Sequence, residues 1–122
     1  MVVLDKSVIV GFLQHGLVGL EELLRDELVV SSVTLQMVEL ELVGSGARPS
    51  EVREDLAAFG FQVVELNDRL AARSLVFREQ VKGLSFDSAV ALAVAEFRKL
   101  GLVSGEKRLV GQGVGVTVQV LG

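Results

Sequence analysis

The chain has no cysteine, no tryptophan and no tyrosine, and only one histidine, His15, and one proline, Pro49. Without cysteine there can be no disulfide framework, thiol nucleophile or zinc–thiolate centre, and the composition fits a reducing cytoplasm. A lone histidine excludes a multi-histidine metal site and argues against a Ser-His-Asp triad. His15 stands beside Gly16 and reads as a helix C-terminal cap, since a partly positive imidazole suits the carbonyl end of a helix. Long apolar runs are also missing. No stretch approaches the ~18 residues that a membrane span needs, and Asp5 interrupts the first apolar run, so neither a membrane segment nor a signal sequence is expected.

Positive charge is scarce as well. A net charge of −4 argues against a protein that coats nucleic acid, which ordinarily carries a basic surface. It leaves room for a nuclease, because acids that hold metal add negative charge themselves. Arg69, Arg73, Arg78, Lys82, Arg98, Lys99, Lys107 and Arg108 fall close together along the chain and read as solvated helix faces.

Half of the residues are hydrophobic while aromatics make up 5%, so the core must be built from Val, Leu and Ala. At 122 residues the chain is long enough for one packed core and too short for two, which makes 1–122 a single domain. Val2–Leu4 reads as a short buried strand. Helices are expected over Ser7–Gln14, where Val8, Ile9, Phe12 and Leu13 fall at helical spacing, and over Leu17–Glu27. Strand Leu28–Val30 follows, then a helix from about Val33 to Val43, a helix over Glu51–Phe59 stopped by Gly60, and strand Phe61–Leu66. Asn67 or Asp68 caps a helix to about Val81, and Ser85 caps a long helix over Phe86–Leu100. Leu102-Val103 and Val114–Val120 complete the strands, with the glycines at 111, 113 and 115 as a turn. Strands alternating with helices over short turns imply an α/β fold of three layers, α/β/α, around a parallel sheet of four to five strands, with the first strand central.

Such a sheet gathers the ends of its strands into one crevice. Asp5 ends the first strand, Asp87 lies in the first turn after Ser85, and Glu106 follows the strand at Leu102-Val103. Separated acids with no histidine or cysteine nearby suit a hard divalent cation. Each also has an ordinary structural use: Asp5 as a cap on the amides of Val8 or Ile9, Asp87 as an acid at a helix N-terminus, and Glu106 as a partner of Lys107 or Arg108.

Three segments in order resemble the PIN domain, the nuclease fold of many prokaryotic VapC-type toxins. They are Val3-Leu4-Asp5-Lys6-Ser7-Val8-Ile9-Val10, Leu84-Ser85-Phe86 with Ala89-x-x-Leu92-Ala93, and Val103-Ser104-Gly105-Glu106-Lys107-Arg108-Leu109. The resemblance implies cleavage of single-stranded RNA dependent on Mg²⁺ or Mn²⁺, with an antitoxin protein as partner in the toxin branch. Asp5, Asp87 and Glu106 become the catalytic acids, joined by Glu39 as metal ligands, with Ser7, Ser88 and Ser104 in support. The chain departs from the family pattern at two of its acids. Met37 stands where the second is expected, with Glu39 two residues later and about 200° around a helix. Ser88 stands where the third is expected, with Asp87 one residue early. The alternative is therefore a catalytically inactive PIN-like module that binds RNA or protein. A homodimer is expected in either case, with Phe12, Leu13, Leu17 and Leu20 as its surface, because so apolar a small domain leaves more apolar area than one core can hide.

Overall fold

A computed structural model describes residues 1–16, 22, 25–111 and 114–121. The strands are β1 (Val2–Leu4), β2 (Leu28–Ser31), β3 (Gln62–Val64), β4 (Gly101–Ser104) and β5 (Val118–Val120). Five α-helices lie among the described residues: α1 (Lys6–His15), α2 (Ser32–Gly44), α3 (Pro49–Ala58), α4 (Asp68–Gln80) and α5 (Phe86–Arg98). A 3₁₀ turn at Lys107–Leu109 follows β4. Most of the helix expected over Leu17–Glu27 lies outside the described residues, as do Leu17 and Leu20 of the expected self-association surface.

The sheet is wholly parallel, in the order β3-β2-β1-β4-β5. This is the α/β/α arrangement expected from the alternating strands and helices, with β1 at the centre. Alternation along each strand divides the core in two. Val3, Val29 and Leu102 face α4 and α5, while Leu4, Val30 and Val103 face α1, α2 and α3. The alanines at 89, 91, 93 and 95 are fully or almost fully buried, so α5 lies close upon the sheet. Arg73 on α4 grips Glu96 on α5 through two hydrogen bonds of 2.6 and 2.8 Å, a bidentate geometry that fixes one helix against the other.

Boundaries differ from the sequence pattern where local chemistry intervenes. β2 runs on to Ser31, whose hydroxyl then accepts from the Thr34 amide at 2.9 Å and caps α2. Pro49 is the first residue of α3, where its missing N–H costs nothing, so that helix starts two residues earlier than expected. β3 is confined to Gln62–Val64, shorter than the expected Phe61–Leu66. β5 begins at Val118 rather than Val114, because Gly115 adopts φ +77°, a left-handed conformation that ends an extended run. Among the described residues no helix is long and apolar enough to cross a membrane.

Phe77 is the largest fully buried side chain, enclosed between α4, α5 and the sheet. Phe77→Ala should cost about 3–5 kcal/mol in urea unfolding through the cavity it leaves. A loss below about 1 kcal/mol would mean that the α4–α5 layer is not packed as described.

Candidate functional site

β1 delivers Asp5 to the carboxyl end of the central strand, where it is 1% exposed. Its amide continues the ladder to the Val103 carbonyl at 3.0 Å. Its extended backbone makes it the N-cap of α1, with Oδ1 accepting from the Lys6 amide at 2.8 Å. The amides of Val8 and Ile9, expected as its capping partners, instead approach the Asp5 backbone carbonyl at 3.2 and 3.4 Å.

Two hydroxyls complete the carboxylate's shell. Ser104, the last residue of β4, donates to Oδ2 at 2.8 Å. Ser88, in the first turn of α5, donates to Oδ2 at 2.9 Å and lies 3.2 Å from Oδ1. Ser104 Oγ also accepts from the Glu106 amide at 2.9 Å, which sets the path of the turn after β4. Ser7 does not reach Asp5; its hydroxyl accepts from the Gly105 amide at 2.8 Å. A Cβ at position 105 would lie 3.2 Å from both Cβ and Oγ of Ser7, so a glycine lets this turn settle on the start of α1.

The other acids have different surroundings. Asp87 is buried beside Asp5, and its Oδ2 has no hydrogen-bond partner. Glu106 caps the 3₁₀ turn, with Oε1 accepting from the amide and the Nε of Arg108 at 3.3 and 2.8 Å. Glu39 is not brought to this cleft. It points toward Arg53 at 3.6 Å and lines a separate hollow with Leu35 and Leu56. Glu41 is the acid of α2 that does reach the cleft, 3.4 Å from Lys6 Nζ. Sequence reasoning left Glu41 unassigned, although it lies four residues after Met37 and hence on the same helix face.

The cleft is a concavity of about 540 Å³ lined by Lys6, Ser7, Glu41, Ser88, Glu106 and Arg108, among others, with Asp5 beneath it through its bond from Ser88. His15 stands on its rim as the last residue of α1, and Gly16, at φ +59°, is the C-cap. A hard divalent cation needs about six oxygen ligands, several of them charged and facing one point. Here Asp5 is turned to hydroxyl and amide donors, and Glu106 to a guanidinium. Among the described residues, no three Asp, Glu, His or Cys side chains are grouped so as to hold a metal. As folded, Asp5 and Glu106 are committed to donors of the protein itself and do not converge on one point.

Burial holds the Asp5 carboxyl above its ordinary value of 3.8, and nearby Asp87 pushes it the same way. The bonds from Ser104, Ser88 and the Lys6 amide pull it down without reversing the balance. The folded protein therefore keeps this proton at pH values where the unfolded chain has released it. Folding stability from this group is complete below 3.8 and declines as pH rises through the raised folded value. Urea midpoints of the wild type should accordingly fall relative to those of Asp5→Asn as pH rises from about 4 to 7. Parallel profiles for the two proteins would show that Asp5 ionises as an ordinary carboxylate.

The fold recurs among solved structures of low sequence identity. A toxin–antitoxin complex from Klebsiella pneumoniae is 18% identical, with TM-score 0.77 over 98% of this chain and 97% of that one. VapBC2 from Rickettsia felis, bound to a DNA fragment from its promoter, is 14% identical with TM-score 0.75, and both chains are covered in full. VapC20 from Mycobacterium tuberculosis, a toxin that cleaves the sarcin–ricin loop, is 13% identical with TM-score 0.73, again over both full chains. No curated protein sequence is similar enough to count as a relative. The sequence pattern of the PIN domain matches residues 2–111, which span all but the last strand, and the chain belongs to the PIN domain family.

Proposed function

We propose that this chain is a non-catalytic PIN module that works by binding another protein, its acidic centre serving as internal architecture. The observation that carries the reading is the bonding of Asp5. Its two oxygens take three donors from the protein itself, and the Ser88 hydroxyl stands where the family pattern has a carboxylate. A protein partner suits the surface better than RNA does. The chain is net acidic, and the cleft cations Lys6 and Arg108 are engaged by Glu41 and Glu106. Large apolar side chains meanwhile stand in solvent, with Leu40 67% and Val110 64% exposed. The toxin–antitoxin neighbours support a partner of antitoxin type.

A second reading, a ribonuclease acting on single-stranded RNA with Mg²⁺ or Mn²⁺, is favoured by one observation. The Oδ2 atom of Asp87 is buried, without a hydrogen bond, beside Asp5. Such an atom is costly unless something binds it.

Manganese separates the two. On the proposed reading the wild-type thermal midpoint does not move with millimolar Mn²⁺, and single-stranded RNA survives incubation. Introducing acids with Met37→Glu and Ser88→Asp should cost roughly 3 kcal/mol without metal, chiefly because position 88 is buried against Asp5, and Mn²⁺ should recover part of it. Metal-dependent RNA cleavage by the wild type that disappears in Asp5→Asn would overturn the proposal in favour of the second reading.

A further inference from the structure

Arg108, one of the two basic residues expected as a partner of Glu106, does more than pair with it. From the 3₁₀ turn, its Nε donates to Glu106 Oε1 at 2.8 Å, and its Nη1 donates to the carbonyl of Gly83 across the mouth of the cleft. Gly83 lies in the turn between α4 and α5 at φ +82°, and a Cβ there would come within 2.7 Å of that same Nη1. The next carbonyl, Leu84, accepts from Arg78 Nε at 3.0 Å. The turn that launches α5, and with it Asp87 and Ser88, is thus pinned by two guanidiniums. One comes from α4 and the other from the turn after β4.

We propose that Arg108 is the built-in counter-cation of this cleft: it draws Glu106 away from Asp5 and Asp87 and locks the α4–α5 turn, so that the cleft needs no divalent ion. This inference rests on the non-catalytic reading above. Asp87 lies beside Asp5, and the Glu106 amide is tied to the same cluster through Ser104 Oγ; acids held so close repel unless positive charge lies among them. A guanidinium is permanently charged and its planar fork bonds two oxygens at once, which suits it to bridge the Glu106 carboxylate and a backbone carbonyl. Both side chains of the pair remain partly exposed, 47% for Arg108 and 30% for Glu106, so the contact adds little to overall stability. It can therefore be removed from a folded protein.

The test uses Mn²⁺ as the probe and the thermal midpoint as the readout. Arg108→Gln should melt within about 3 °C of the wild type without metal. With Glu106 released, it should gain about 3–5 °C when Mn²⁺ is tenfold above its Kd, while the wild type stays flat. Gly83→Ala, which crowds the guanidinium out without removing its charge and also strains the left-handed backbone there, should melt lower without metal and gain a response to Mn²⁺ in the same direction. Adding Asp5→Asn to Arg108→Gln should abolish it. A folded Arg108→Gln that ignores Mn²⁺ overturns the inference and leaves the non-catalytic reading standing, and a response that survives Asp5→Asn overturns it equally. A response already present in the wild type is instead a failure of the reading beneath it. Should Arg108→Gln not fold, the response of Gly83→Ala decides the matter in the same way.

Discussion

A carboxylate at the end of a central strand, almost wholly removed from water, sets the terms for everything around it. Burying such a group without partners would cost several kcal/mol. The partners come from three separate places in the chain: the first amide of α1, the hydroxyl ending β4 and a hydroxyl in the first turn of α5. Asp5 is thus the point at which both faces of the sheet meet. The start of α1 on one side and the start of α5 on the other are positioned by the same side chain. Its raised pKa follows from this enclosure, since the loss of solvation outweighs what the three donors restore.

Ser88 is a small residue with a large effect on the chemistry of this centre. A serine hydroxyl can donate to a neighbouring carboxylate, whereas an ionised aspartate in its place could only accept. With Ser88 the centre coheres by direct bonds within the protein; with an acid there it would need a third party between the two. The same logic extends outward. Lys6 leans to Glu41, and Arg108 to Glu106, so each acid at the rim has a basic neighbour from its own chain. Asp87 is the exception, holding one oxygen without a donor inside an otherwise satisfied cluster.

Much of this was legible in the sequence because it is local. β-Branched residues ending in an acid marked β1 and Asp5, Ser85 marked the start of α5, and alternating strands and helices fixed the parallel sheet with β1 at its centre. The face of α2 was not legible. Val33, Leu35, Met37, Val38, Leu40, Leu42 and Val43 put apolar side chains around its whole circumference, so no stripe says which acid turns toward the cleft. Glu39 was the acid expected there, and packing turns Glu41 to the cleft instead. The pairing of Arg108 with Gly83 spans 25 residues and depends on two turns meeting in space, which no periodicity encodes. The early end of β5 was missed for a different reason: valine alternation continues through Gly115, and backbone handedness at that glycine decides.

The brevity of the outer strands has a bearing on colloidal behaviour. β3 and β5 border the sheet, and each offers three residues of ladder, Gln62–Val64 and Val118–Val120. A free strand margin is a template on which other chains can add, and the hazard grows with its length and flatness. Three residues give an incoming strand little to grip, even where Val63 stands in solvent. A chain this rich in valine and leucine thereby keeps its most adhesive backbone in the three strands already paired on both sides.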